Sequence, residues 1–180
     1  VLWLVYSGNE GVTKFERSTE TFTHYPIDGD RKVMSLQPTA DGSVWIGMTD
    51  GQLARLDPTT GMFTDYPHAS DDPDTFGNRR DRLYEDHHGF LWLWAGETLT
   101  KFDPVTERAT HYRYDTDEGE NIINDEIRKV YEVAEGVLWV DTESGPIRFD
   151  PASEQFFHDN DTTVLANTVL SLVGADRKGH

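Results

Sequence analysis

Cysteine is absent from the 180-residue sequence, which excludes a disulfide framework and thiolate-bound zinc but leaves the compartment open. Bases are scarce as well: 16 Lys and Arg stand against 33 Asp and Glu, for a formal net charge of −17. Nucleic-acid binding draws on clustered cations that release counterions from phosphates, so no such partner is expected. An acidic surface chiefly favours solubility. Long apolar runs are missing too. No stretch approaches the roughly 20 apolar residues of a membrane helix, and no basic start with an apolar run behind it marks a signal peptide. No membrane contact is expected from this segment.

Aromatic residues are plentiful: five Trp, seven Tyr and nine Phe in a chain whose hydrophobic fraction is only 36%. That combination suggests short strands carrying large anchors, in a chain long enough to bury one good core. Four tryptophans recur at the period of a propeller or solenoid: Trp3, Trp45, Trp92 and Trp139, separated by 42, 47 and 47 residues. Each lies in an apolar triplet, Leu2-Trp3-Leu4, Val44-Trp45-Ile46, Leu91-Trp92-Leu93 and Leu138-Trp139-Val140, that reads as a strand.

A second strand follows each Trp and ends at Phe15, Leu56, Phe102 or Phe149, with Asp-Pro behind the last three. Pro cannot continue a hydrogen-bonded ladder, so Asp-Pro closes a strand and opens a turn. A third strand is expected over 21–25, 62–66, 109–112 and 155–158, and a fourth over 33–36, 80–85, 127–132 and 169–173. Acidic Gly turns lead from the fourth strand to the next Trp at Asp41-Gly42, Asp86-His87-His88-Gly89 and Glu135-Gly136. The turn Asp176–Gly179 has no Trp strand behind it in this sequence. Val1 is not an initiator Met and Lys178-Gly179-His180 falls inside a motif, so the chain reads as cut from a longer protein.

These features predict an all-β fold: a β-propeller with four-stranded antiparallel blades, with residues 1–180 a partial propeller of four repeats from a larger ring, seven-bladed by analogy with other propellers. A β-sandwich would not explain why the same anchors return in the same order.

At Asp86–Gly89, Leu91-Trp92 and Phe102-Asp103-Pro104 the pattern resembles the two-component regulator propeller repeat, and the resemblance covers essentially the whole chain. It departs where that family has Gly after Trp and one further residue: Gly47 keeps it, whereas Val5, Trp94 and Asp141 replace it. The Thr expected next survives only as Thr142, with Tyr6, Met48 and Ala95 elsewhere. The resemblance implies an extracytoplasmic sensor, periplasmic or extracellular, joined through a membrane helix to a histidine kinase or a diguanylate cyclase. Some members sense oligosaccharides. It also implies a parent receptor able to form a homodimer.

Blade geometry brings the loop leading into the innermost strand and the loop after the Trp strand to one end of a propeller, where ligands usually meet it. This selects Asn78, Arg79, Arg80, Asn124, Asp125 and Asn167 from the first set, and Trp94, Glu97, Asp141 and Glu143 from the second. Arg80 stands 12 residues before Trp92, where the sister strands have Val33, Ile127 and Val169. It supplies a cation for an anionic or sugar ligand, or a charge paired with Asp81 or Glu126, or a side chain that snorkels out to solvent. Trp94 shares a strand face with Trp92; it either stacks on a sugar ring or fills space between blades.

No metal or other cofactor is expected. Asp115, Asp117, Gly119 and Asn121 alternate oxygens like a calcium loop but lack its closing Glu; Asp71, Asp72 and Asp74 are looser, and His87-His88 has no third ligand nearby in sequence. No nucleophile motif or phosphate loop is present, so the chain is not read as an enzyme. A non-catalytic protein-interaction scaffold is the alternative. A streptogramin-lyase-like enzyme lacks its Pro-Gly-Ile and Trp-Phe-Thr-Glu signatures here.

Overall fold

The computed structural model describes residues 1–5, 11–29, 31–48, 52–66, 82–113, 126–134 and 136–157. Among them there is no helix, and the strands form four antiparallel sheets in chain order. The first sheet is three-stranded, β1 (Leu2–Val5), β2 (Gly11–Glu16) and β3 (Thr21–Pro26). The second is four-stranded, β4 (Val33–Pro38), β5 (Val44–Met48), β6 (Leu53–Asp57) and β7 (Met62–Tyr66). The third holds β8 (Arg82–Glu85), β9 (Leu91–Ala95), β10 (Thr98–Asp103) and β11 (Arg108–Arg113), and the fourth β12 (Ile127–Ala134), β13 (Val137–Thr142), β14 (Pro146–Asp150) and β15 (Gln155–Phe157). Each is a sequential meander, the build of a propeller blade. The strand that ends one sequence repeat pairs with the Trp strand of the next, so sheet and repeat are offset by one strand.

The chain divides into two compact units, 1–127 and 128–180. In the first unit the core lies between successive sheets. Val12 and Tyr25 of the first sheet pack with Val33, Val44, Ile46, Met48, Ala54 and Leu56 of the second. On its other face the second sheet sets Trp45 and Leu53 against Leu83, Leu91, Leu93 and Phe102 of the third. β5 is buried along its whole length, which is why Val44 to Met48 reads as a continuous apolar run rather than an alternating one. Each such fully buried side chain contributes about 1.5–3 kcal/mol.

Aromatic contacts repeat within this unit. Trp3 meets Tyr25 at 5.8 Å between ring centroids, Trp45 meets Tyr66 at 4.8 Å and Trp92 meets Tyr112 at 6.2 Å. The Tyr25 hydroxyl donates to the Pro58 carbonyl at 3.0 Å, tying the first sheet to the Asp-Pro turn of the second. In the second unit, β13 buries Leu138, Trp139 and Val140, and β14 buries Ile147 and Phe149.

The Asp-Pro turns are built alike. Asp57 accepts from the Thr59 amide and the Thr60 hydroxyl, Asp103 from the Val105 amide and the Thr106 hydroxyl, and Asp150 from the Ala152 amide and the Ser153 hydroxyl. These bonds favour the charged form and hold all three carboxyls below the usual carboxylate range. A depressed folded pKa adds stability above the unfolded value of about 3.9 and loses it as pH falls through the folded value. Thermal melts should therefore be flat from neutral pH to about 5 and fall steeply below about 4. A triple Asp→Asn variant at these positions should show a shallower acid slope; an unchanged slope would assign acid sensitivity elsewhere.

Candidate functional site

The end of the blades selected from sequence is built, in the first unit, by the turns after β5 and β9 and by the start of β12. Met48 donates its amide to Gln52 O at 3.0 Å, closing the β5–β6 turn. After β9, Gly96 takes a positive φ of 55°, and its carbonyl accepts from the Ile127 amide at 2.8 Å. The turn behind a Trp strand thus meets the first residue of the next lead-in strand, as blade geometry requires.

Trp94 lies on β9 between Arg82 of β8 and Leu99 of β10. It is only 6% exposed, and among the described residues its buried Nε1–H has no hydrogen-bond partner. Leaving such a donor unpaired in a low-dielectric site costs about 1–3 kcal/mol. Glu97, three residues on, faces Arg113 at 3.6 Å. Gly47 occupies the position of Trp94 in the second sheet, and its cross-strand neighbour Ser35 also carries a buried, unpartnered hydroxyl, at a register shift in β4. Among the described residues, two consecutive sheets therefore leave a buried polar atom unsatisfied at the same step of the repeat.

In the second unit Asp141 lies half-buried on β13 opposite Pro146. Burial, and then the Asp141 charge, push the Tyr131 hydroxyl above its ordinary pKa. Glu143 pairs with Arg128 at 3.4 Å. Asn78, Arg79, Arg80, Asn124, Asp125 and Asn167 lie outside the described residues, as do Asp71, Asp72, Asp74 and the loop from Asp115 to Asn121. Among the described residues no group of three or more His, Cys, Asp and Glu side chains is placed to hold a metal ion.

The opposite end carries the acidic turns, and their roles are structural. Asp86 accepts from the amides of His88 and Phe90 at 3.0 and 2.9 Å and from Trp92 Nε1 at 2.8 Å. Asp41 accepts from the Ser43 amide and hydroxyl and from the Thr39 hydroxyl, and it is paired with Arg55. These bonds and the guanidinium outweigh the effect of burial and hold its carboxyl far below the usual range. The rings of His87 and His88 are tilted against each other with centroids 3.7 Å apart. A cleft of about 800 Å³ opens at this end between the first two sheets, lined by Trp3, Lys14, Asp41, Arg55, Asp57 and Thr64 among others.

Sequence reasoning missed one repeated feature. Lys14, Arg55, Lys101 and Arg148 stand directly across the ladder from Trp3, Trp45, Trp92 and Trp139. Arg55 lies 5.7 Å from the Trp45 ring, and Lys101 lies 3.8 Å from Phe90 and 5.8 Å from Trp92. Such cation–π contacts let the cation's stem cover the aromatic face. The signal was available: a base immediately precedes each of Phe15, Leu56, Phe102 and Phe149.

No protein-family model matches the chain, and no curated protein is similar to it in sequence. Solved structures do resemble it. Virginiamycin B lyase from Staphylococcus aureus superposes with a TM-score of 0.66 at 17% identity, over 86% of this chain and 50% of that one. The extracellular domains of two hybrid two-component systems from B. thetaiotaomicron give TM-scores of 0.58 and 0.61 at 22% and 19% identity; each match covers 84% of this chain but only 19% and 20% of theirs. The protein YCF48, bound to a D1 peptide, gives 0.62 at 11% identity. The chain thus spans half the length of the lyase and about a fifth of each receptor domain. At these identities the likeness establishes the β-propeller fold.

Proposed function

We propose that this chain is part of the ligand-sensing propeller of a signal-transduction receptor of two-component or diguanylate cyclase type, lying outside the cytoplasm, and that it binds its ligand without converting it. The repeat pattern around Trp92 and the likeness to extracellular domains of two hybrid two-component systems support the receptor reading. One observation carries the choice of site: the buried, unpartnered indole N–H of Trp94, at a repeat position where the second sheet has Gly. A polyhydroxylated ligand such as an oligosaccharide offers the acceptor this donor lacks, and Glu97, three residues on, can accept a hydrogen bond from a ligand hydroxyl.

Calorimetric titration with a panel of neutral and acidic oligosaccharides tests the reading. Trp94→Phe keeps an aromatic ring, smaller than the indole, and removes the N–H, and it should weaken binding about threefold to tenfold, the worth of one hydrogen bond. Equal affinity of the two proteins, or no binding across the panel, would count against the site. The lyase likeness supports a second reading, a propeller enzyme. Quinupristin, present in a structure of an inactive form of that lyase, serves as its probe: turnover by this chain would displace the sensor reading, and none is expected. The peptide-bound neighbour supports a scaffold reading, which binding of a peptide with no sugar bound would favour.

A further inference from the structure

A row of directly opposed residues crosses each of the first three sheets at the end where the lead-in strands begin, and residues opposed in this way share one face of the sheet. In the second sheet the row is Ser35, Gly47, Leu53 and Tyr66. In the third it is Arg82, Trp94, Leu99 and Tyr112. The outer half of the row repeats, and the first sheet has Val12 and Tyr25 at the same two places. The inner half does not repeat. At this step the Trp strands carry Val5, Gly47, Trp94 and Asp141, and the lead-in strands of the second and third sheets carry Ser35 and Arg82.

Two residues earlier on the same strands every sheet has Trp, and across the ladder from it every sheet has Lys or Arg. Blade packing fixes those anchors, but it does not account for one step that runs from no side chain at Gly47 to an indole beside a guanidinium. Such a step is where a site departs from the scaffold's own rules. The version in the third sheet is rich in donors. The Arg82 guanidinium and the Trp94 indole can only donate; Arg82 is exposed, and among the described residues the buried Trp94 N–H is unpartnered. The row contains no acidic residue. At the turn beside it, the Gly96 carbonyl already accepts from Ile127 and the Glu97 carboxylate faces Arg113.

We propose that Arg82 sets the specificity of the Trp94 site, and that the ligand it selects is an acidic sugar whose carboxylate is held by the Arg82 guanidinium and the Trp94 N–H together. A neutral hydroxyl answers the indole alone, whereas a carboxylate has two acceptor oxygens and a charge, and matches the planar fork of an arginine. This rests on the oligosaccharide reading above and narrows it: the ligand is an anion, and its hydroxyls remain for Glu97.

Matched pairs of uronic-acid oligosaccharides and their carboxyl methyl esters, titrated calorimetrically against the unmutated protein, separate charge from shape without depending on any variant folding. The acid should bind about tenfold or more tightly than its ester, the worth of a charged hydrogen bond. Its advantage should shrink as salt is raised. Arg82→Gln should abolish the preference for acid over ester and leave the ester's affinity unchanged, and Arg82→Lys should keep part of it. A merely structural role would lower both affinities together and leave their ratio intact. Acid and ester bound equally by the unmutated protein, or a preference that survives Arg82→Gln, would overturn this assignment while leaving a sugar site at Trp94 standing. Failure of every sugar to bind would overturn the site itself, and the assignment with it.

Discussion

Trp92→Ala should lower the unfolding free energy by about 3–5 kcal/mol, measured by urea denaturation followed through the remaining tryptophans. Trp92 is fully buried, packs near Tyr112 and lies under Lys101, so truncation opens a cavity that a rigid sheet cannot collapse. It also strips Asp86, itself buried, of the indole donor it accepts. Against a typical domain stability of about 5–15 kcal/mol, the loss should leave a large unfolded fraction at physiological temperature. Trp92→Phe separates the two contributions: it restores most of the volume and leaves Asp86 without its third bond. It should cost about 1–3 kcal/mol. If both variants are within about 0.5 kcal/mol of the parent, the repeated Trp is not the anchor of the sheet.

Gly11→Ala is the second large effect, expected at about 2–5 kcal/mol from close contact and backbone strain together. Gly11 opens β2 with φ 138°, and a Cβ placed there would stand 2.1 Å from the Tyr25 carbonyl oxygen and 2.9 Å from Pro26 Cα. Those are backbone atoms of the paired strand, so relief requires β2 and β3 to part. Gly42→Ala is the control. Its φ of 87° is also positive, but nothing lies within 4 Å of its added Cβ, so it should cost only the conformational penalty of about 1–2 kcal/mol. Equal losses in the two variants would mean that the close approach of β2 to β3 does not set the cost at Gly11.

The blade pattern was legible because it rests on strong local signals. Trp inside an apolar triplet, Asp-Pro behind the second strand and an acidic Gly turn ahead of the next Trp each have a backbone reason. The strands at 21–26, 62–66 and 108–113 fall within a residue of where those signals put them. Extents were less legible: β12 runs on to Ala134, and β4 runs past Leu36 to Pro38 because its pairing with the Trp strand continues to Val44. The turns at Glu20, Glu107 and Glu154 hid a left-handed residue that only Gly61 advertises. Asp103 and Asp150 organise the turns at Glu107 and Glu154 well enough to hold a side chain there.

The site was legible in position and not in chemistry. Spacing pointed to Trp94 and Glu97, but no sequence pattern could reveal that the indole is buried with its N–H unpaired, since that depends on packing from other strands. The role of Asp86 as a bond acceptor for Trp92 was likewise invisible, because an acidic turn residue reads as solvated until register places it under the indole.

Hydrogen exchange measured with and without a bound oligosaccharide tests the sensor reading most directly. Protection should appear at Trp94, Gly96, Glu97 and Ile127, and Trp94→Phe should diminish it. Protection confined to the cleft lined by Trp3, Lys14 and Arg55, or no change at either end with any sugar, would contradict a ligand site at the end where the lead-in strands begin.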